Sequence, residues 1–234
     1  MKKIIATIAL LALTSVSVKA ELPNLGVFSL TAGLATNTSV WGASAKETRS
    51  SETGTVLGSN KDSGVFTESY SSQFIELGIG KYISLGYEVT PDSISTPNNI
   101  NQSATVDGGV PSDRTVVSVD FNDLTTTYAK LNIPGGAYIK YGTVTTDLDI
   151  KETTRSGNTY KNKSTSGTSL GAGYQRFLGE SGFGIRVEAS YLDLDNVSTD
   201  NGVATSGNHN KVEATNLEGA TARVALTYTL GRNN

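Results

Sequence analysis

Cysteine is absent from this 234-residue chain, and methionine, tryptophan and histidine each occur once. The missing cysteine excludes disulfides, thiolate catalysis and cysteine-ligated metal centres. Proline is scarce too: there are five, three of them between Pro91 and Arg114. No basic stripe is present to neutralise phosphates, so nucleic acid is not a partner. Hydrophobic residues make up only 37 %, and after residue 20 no apolar run approaches the roughly 20 residues that a spanning helix needs. A large helical core and a helical membrane anchor are both disfavoured.

What the chain does have begins at its N-terminus. Lys2 and Lys3 form a basic start, Ile4 to Ser17 an apolar stretch, and Val18-Lys19-Ala20 a small-residue cleavage site. That is the pattern of a secretory signal peptide, residues 1–20. The exported remainder, residues 21–234, reads as a single domain. Without Lys2, Lys3 and Lys19 it carries 16 Lys and Arg against 22 acidic residues. If this chain enters a membrane beyond its leader, it must do so by strands.

Strand periodicity is clearest from Leu170 to Tyr191. Leu170, Ala172 and Tyr174 alternate with Gly171, Gly173 and Gln175; after the turn GESG, Phe183, Ile185, Val187, Ala189 and Tyr191 alternate with Gly184, Arg186, Glu188 and Ser190. Alternation with period two marks strands whose two faces meet different surroundings. The same pattern recurs around Phe28–Leu34, Phe74–Ile79, Ile83–Val89, Val117–Ile133, Ala137–Tyr141 and Ala220–Leu230. Eight strands result. Connections after the second, fourth and sixth are short turns; those after the first, third, fifth and seventh are long and polar, including Lys46–Gly64 and Pro91–Arg114. Short turns on one side and long loops on the other are the pattern of an all-β, eight-stranded antiparallel up-and-down transmembrane β-barrel.

Parity alone leaves two arrangements open. In a soluble binding barrel the apolar stripe faces inward; in a membrane barrel it faces lipid and the charges fill the lumen. The polar stripe collects Glu76, Glu88, Glu188, Lys130, Lys140, Arg186 and Arg223. The interior of eight strands is only wide enough for side chains to fill, and buried charges need partners. These seven are therefore expected to form a paired plug. Phe28, Tyr87, Phe183, Tyr191 and Tyr228 lie toward strand ends in the apolar stripe, where a membrane barrel carries aromatic girdles.

The hairpin LGAGYQRFLGESGFGIRVEASYLDL, Leu170 to Leu194, resembles the penultimate hairpin of the small opacity-like and OmpA-type outer-membrane barrels. The resemblance implies a monomeric barrel in the Gram-negative outer membrane, in contact with lipid and lipopolysaccharide and inserted by the barrel-assembly machinery. The last strand, ARVALTYTLGRNN, is similar to that machinery's recognition strand, though it ends in Gly-Arg-Asn-Asn rather than an aromatic.

Chemistry is thinly represented. The one histidine, His209, falls in the polar sequence SGNHNK with no catalytic motif around it, and a catalytic histidine needs an acid and a nucleophile in reach. The pairs Asp147/Asp149 and Asp193/Asp195 at outer strand ends fit no dedicated calcium loop. Gly78-Ile79-Gly80 opens no helix, so no nucleotide fingerprint exists. The expectation is a non-enzymatic envelope protein without cofactor or metal. Its alternatives are a narrow pore, an adhesin or receptor whose partner meets the long loops, and a secreted soluble barrel.

Overall fold

The structure is a computed structural model and describes residues 25–51, 54–102, 114–153, 160–202 and 209–231. The leader expected at 1–20 lies outside them. Among the described residues eleven strands form one antiparallel sheet: β1 (Phe28–Ser50), β2 (Val56–Ile79), β3 (Ile83–Val89), β4 (Ile94–Ser95), β5 (Asn99–Gln102), β6 (Arg114–Asn132), β7 (Ala137–Thr153), β8 (Lys163–Phe177), β9 (Phe183–Leu194), β10 (Val197–Asp200) and β11 (His209–Leu230). β1 pairs with β11, which closes the sheet. β3, β4 and β5 follow one another along the same edge of β6, and β9 and β10 along one edge of β11. The ring therefore has eight positions.

The register fixes its size. From Phe183 the pairing runs to Tyr228, Ala32, Ile75, Tyr87, Thr127, Thr143 and Thr168, and returns to β9 at Asp193. The stagger is ten residues (193 minus 183). With a rise of ~3.3 Å per residue and a strand spacing of ~4.8 Å, it tilts the strands by roughly 40° to the axis. A closed eight-position ring of that tilt leaves no open lumen unless its side chains are small.

Tight turns join the strands at one end. After Ile79 the chain reverses through Gly80, whose φ of 62° favours glycine and whose N–H donates to Val27 O at 2.7 Å. In the Pro134-Gly135-Gly136 turn both glycines have positive φ, 96° and 99°, and Gly136 N–H bonds Ile133 O. Such backbone angles are cheap only for glycine.

At the other end the strands run further than periodicity indicates. The stretch Lys46–Gly64, read above as a loop, is mostly strand: β1 continues to Ser50, β2 begins at Val56, and the register pairs Lys46 with Lys61. Alternation vanishes there because both faces are wet, whereas backbone pairing needs no apolar side chain. His209 is likewise strand, opening β11 opposite Ser50.

Two bulges change which residues face in. On β6 the register slips between Asn122 and Thr125, with Asp123 at φ 54°. The even residues Leu124, Thr126, Tyr128 and Lys130 are buried after the bulge, and the odd residue Phe121 before it. Uninterrupted alternation from Val117 to Ile133 would put Phe121 on the outward stripe with Leu131. One extra residue shifts the parity and turns it inward. β11 does the same at Asn216, φ 53°, opposite the slip at Gly42/Ser44.

Candidate functional site: the barrel interior and its belt

The outward positions of the eight ring strands are apolar around the tight-turn half of the barrel. Leu30, Leu34, Leu77, Leu85, Leu131, Ile139, Leu170, Val187, Val224 and Leu226 are all exposed, from 37 % for Leu30 to 60 % for Leu170. On β9 the belt runs from Phe183 to Tyr191. At the tilt above, those residues span roughly 20 Å along the axis, comparable with the ~25 Å apolar band of a membrane barrel.

Inward positions of the same strands are charged and buried: Arg186 0 %, Glu76 2 %, Lys140 3 %, Lys130 4 %, Glu188 5 % and Arg223 5 % exposed. A water-soluble protein has the opposite polarity on its two sides. The fold is that of a transmembrane β-barrel. Among the described residues no helix is long and apolar enough to cross a membrane.

All seven charges expected in the lumen lie within it, in two linked clusters. Glu76 is the centre of the first. Arg186 Nη1 and Nη2 donate to its two carboxylate oxygens at 2.7 Å each, Lys130 Nζ donates to Oε2 at 2.6 Å and Tyr128 OH to Oε1 at 2.7 Å. Gln175 Oε1 accepts from the far side of Arg186, from Nη2 at 2.8 Å and Nε at 3.2 Å. Bidentate pairing of a planar guanidinium with a carboxylate adds direction to charge, which a lysine cannot supply.

The second cluster holds Glu88 and Glu188. Arg223 Nη1 donates to both oxygens of Glu88 at 2.6 Å and its Nη2 to Glu188 Oε2 at 3.1 Å. Lys140 Nζ lies 2.6 Å from Glu188 and 3.5 Å from Glu88. Tyr138 OH donates to Glu188 at 2.7 Å, and Asn37 Nδ2 donates to Ser72, which donates to Glu88.

Aromatic rings tie the clusters together. Phe74, 2 % exposed, has the Arg186 guanidinium 4.7 Å and that of Arg223 5.2 Å from its ring centre. Lys140 stands 4.6 Å from the Tyr128 ring and Lys130 5.3 Å from that of Tyr138. Each tyrosine thus bonds one cluster through its hydroxyl and meets a cation of the other through its face. Periodicity placed Tyr128 and Tyr138 on the polar stripe but gave them no role. Their parity with Lys130 and Lys140 was the available signal.

Glycine makes the room. A Cβ on Gly33 would stand 2.1 Å from Phe74, and one on Gly86 2.3 Å from Tyr128. Gly33→Val is therefore expected to destabilise the folded barrel by about 1–3 kcal/mol through overpacking. Urea unfolding in lipid vesicles measures it, and Phe74→Ala in the same chain should recover part of the loss. Equal unfolding midpoints for Gly33→Val and the parent would refute the packing argument.

Toward the long-loop end the interior becomes apolar. Trp41, Ile94, Phe121, Leu124, Val144, Leu148, Leu192, Leu194, Val197 and Leu217 form one buried cluster, with Trp41 and Phe121 stacked at 5.6 Å. No charge signals this layer, and the β6 bulge contributes to it: Phe121 faces in because of it. At the same end, beyond the apolar belt, Lys151 donates to Asp120 and holds its carboxyl below the ordinary range.

The remaining candidates separate. Phe28, Tyr87 and Tyr191 are exposed at 47 %, 40 % and 44 %, and Phe183 is half-buried. Tyr228 is 3 % exposed, its ring tilted against Phe183 at 4.8 Å, so it presents no face to the surroundings. Tyr82, Tyr141 and Tyr174 are further exposed aromatics outside that set. Asp147 and Asp195 accept hydrogen bonds from Ser164 and Ser166. Among the described residues no His, Asp and Glu cluster of three or more could hold a metal ion.

No known protein-family profile matches the sequence, and no curated protein does. Solved structures are similar in shape. The outer membrane protein OprG of Pseudomonas aeruginosa has a TM-score of 0.47 at 10 % identity, over 84 % of this chain and 96 % of its own. The outer membrane protein AlkL has 0.46 at 11 %, over 94 % and 99 %. Ail of Yersinia pestis has 0.35 at 12 %, over 82 % and 99 %. At such scores the fold assignment rests on this barrel's own register, belt and interior.

Proposed function

We propose that this protein is a non-enzymatic barrel of the Gram-negative outer membrane that stays closed to solutes, anchors in lipid and lipopolysaccharide, and displays its long-loop end outside. One observation carries the reading: the charged plug and the apolar cluster fill the lumen in series. Seven charges are tied to one another around Phe74, and the apolar layer from Trp41 to Leu217 lies beyond them. An ion crossing this barrel would have to break the first and then be desolvated in the second. The export leader at residues 1–20 and the alternating last strand support passage through the periplasm and insertion by the barrel-assembly machinery. The proposed form is a monomer, a reading supported by a sheet that closes on itself and so offers no strand edge at membrane level to a second copy.

The test has two arms. Cell fractionation is expected to place the protein in the outer membrane, with a folded form that migrates differently in gels until heated; recovery in the soluble periplasm would end the membrane reading. Purified protein in planar bilayers is expected to show no single-channel openings. Regular openings would replace the closed barrel by a narrow pore while leaving the localisation intact.

A further inference from the structure

Between the charge network and the apolar cluster lies a small pocket. Its walls include the network residues Glu88, Lys140 and Arg223, the polar residues Tyr70 and Ser169, and Leu192 of the apolar cluster; its volume is about 20 Å³. A single water needs about 10–15 Å³ measured in this way. The pocket therefore has room for one water or one small ion.

Its charge is not balanced. Four cations of the network (Lys130, Lys140, Arg186, Arg223) face three carboxylates (Glu76, Glu88, Glu188), and the pocket's own walls carry two cations against one carboxylate. Arg223 Nε is buried and donates to no atom among the described residues, while both of its terminal nitrogens are engaged. An unmatched buried cation and an unused buried donor are each costly. We propose that this pocket binds one monatomic anion of chloride size, held by Arg223 and Lys140, which neutralises the network. This site follows from the interior geometry and does not depend on what the loops do.

Purified full-length protein in detergent micelles tests it. With ionic strength held constant by sodium gluconate, whose anion is too large to enter, added chloride or bromide should raise the unfolding temperature and the effect should saturate. Crystals grown in bromide should show one anomalous peak in contact with Arg223 Nε. Ser169→Ala, a mild change in the pocket wall, should weaken halide affinity several-fold. Lys140→Met, where it folds, should abolish halide dependence, because three cations then meet three carboxylates. Identical unfolding in gluconate and halide, or bromide crystals without a peak in the pocket, would overturn the proposal; water or a proton lost from a lysine would then complete the network.

Discussion

Replacing Arg186 by alanine is expected to cost the folded barrel about 3 kcal/mol or more, because a buried carboxylate loses its principal partner. Glu76 would keep Lys130 and Tyr128, yet it would lose two of its four short hydrogen bonds. Gln175 Oε1 would lose both donors from that guanidinium, and the Phe74 ring one of its two cations. The same change removes the largest fully buried side chain of the interior. Urea unfolding in vesicles measures the stability, and planar bilayers measure any leak that follows. Arg186→Lys separates charge from shape: it keeps the cation, forfeits the bidentate pairing, and should fall between parent and alanine. A barrel carrying Arg186→Ala that is as stable and as silent as the parent would sink the plug.

The neighbouring residue gives the converse result. Val187 is 46 % exposed and sits midway along the β9 belt, in register with Tyr174 and Val224. Val187→Arg is expected to destabilise the membrane-inserted barrel by about 2–4 kcal/mol, the cost of a guanidinium at the bilayer midplane. On a wet surface the same substitution would change stability by less than about 0.5 kcal/mol. Urea unfolding from vesicles, measured for the variant beside the parent, reads it directly. No penalty in vesicles would mean that Val187 does not face lipid, and the belt would have to be redrawn. Together Arg186 and Val187 ask opposite questions of adjacent positions: one needs its charge and the other cannot tolerate one.

Much of this is legible in the sequence. Glu76, Lys130, Lys140 and Arg186 share the polar parity of their strands, and Leu85, Val187 and Leu226 the apolar one. A strand exposes alternate residues to opposite sides, so parity survives whatever the partners are. Parity fails where the chain breaks its own period. Asp123 and Asn216 each insert one residue; Asp and Asn are the side chains that best tolerate the positive φ involved, but they are too common in polar strands to announce a bulge by themselves. Phe121 consequently faces Trp41 rather than lipid. The polar reaches of β1 and β2 were invisible for a different reason: with water on both faces, the sequence need not alternate.

Glu76 meets Lys130 across 54 residues and Arg186 across 110, and no local pattern specifies such pairings. The ten-residue stagger of the ring decides them, because it sets which inward positions share a level along the axis. The hairpin from Leu170 to Tyr191 shows the division. Its sequence by itself determined two strands, a turn, one greasy face and a polar face bearing Arg186 and Glu188. Only the closed barrel decided that the greasy face looks outward, since the ring is too narrow to hold large side chains from both faces and its interior is already filled by paired charge. It also decided that Arg186 and Glu188, two residues apart on one strand, serve different clusters. Arg186 binds Glu76 from β2, while Glu188 meets Tyr138 and Lys140 from β7.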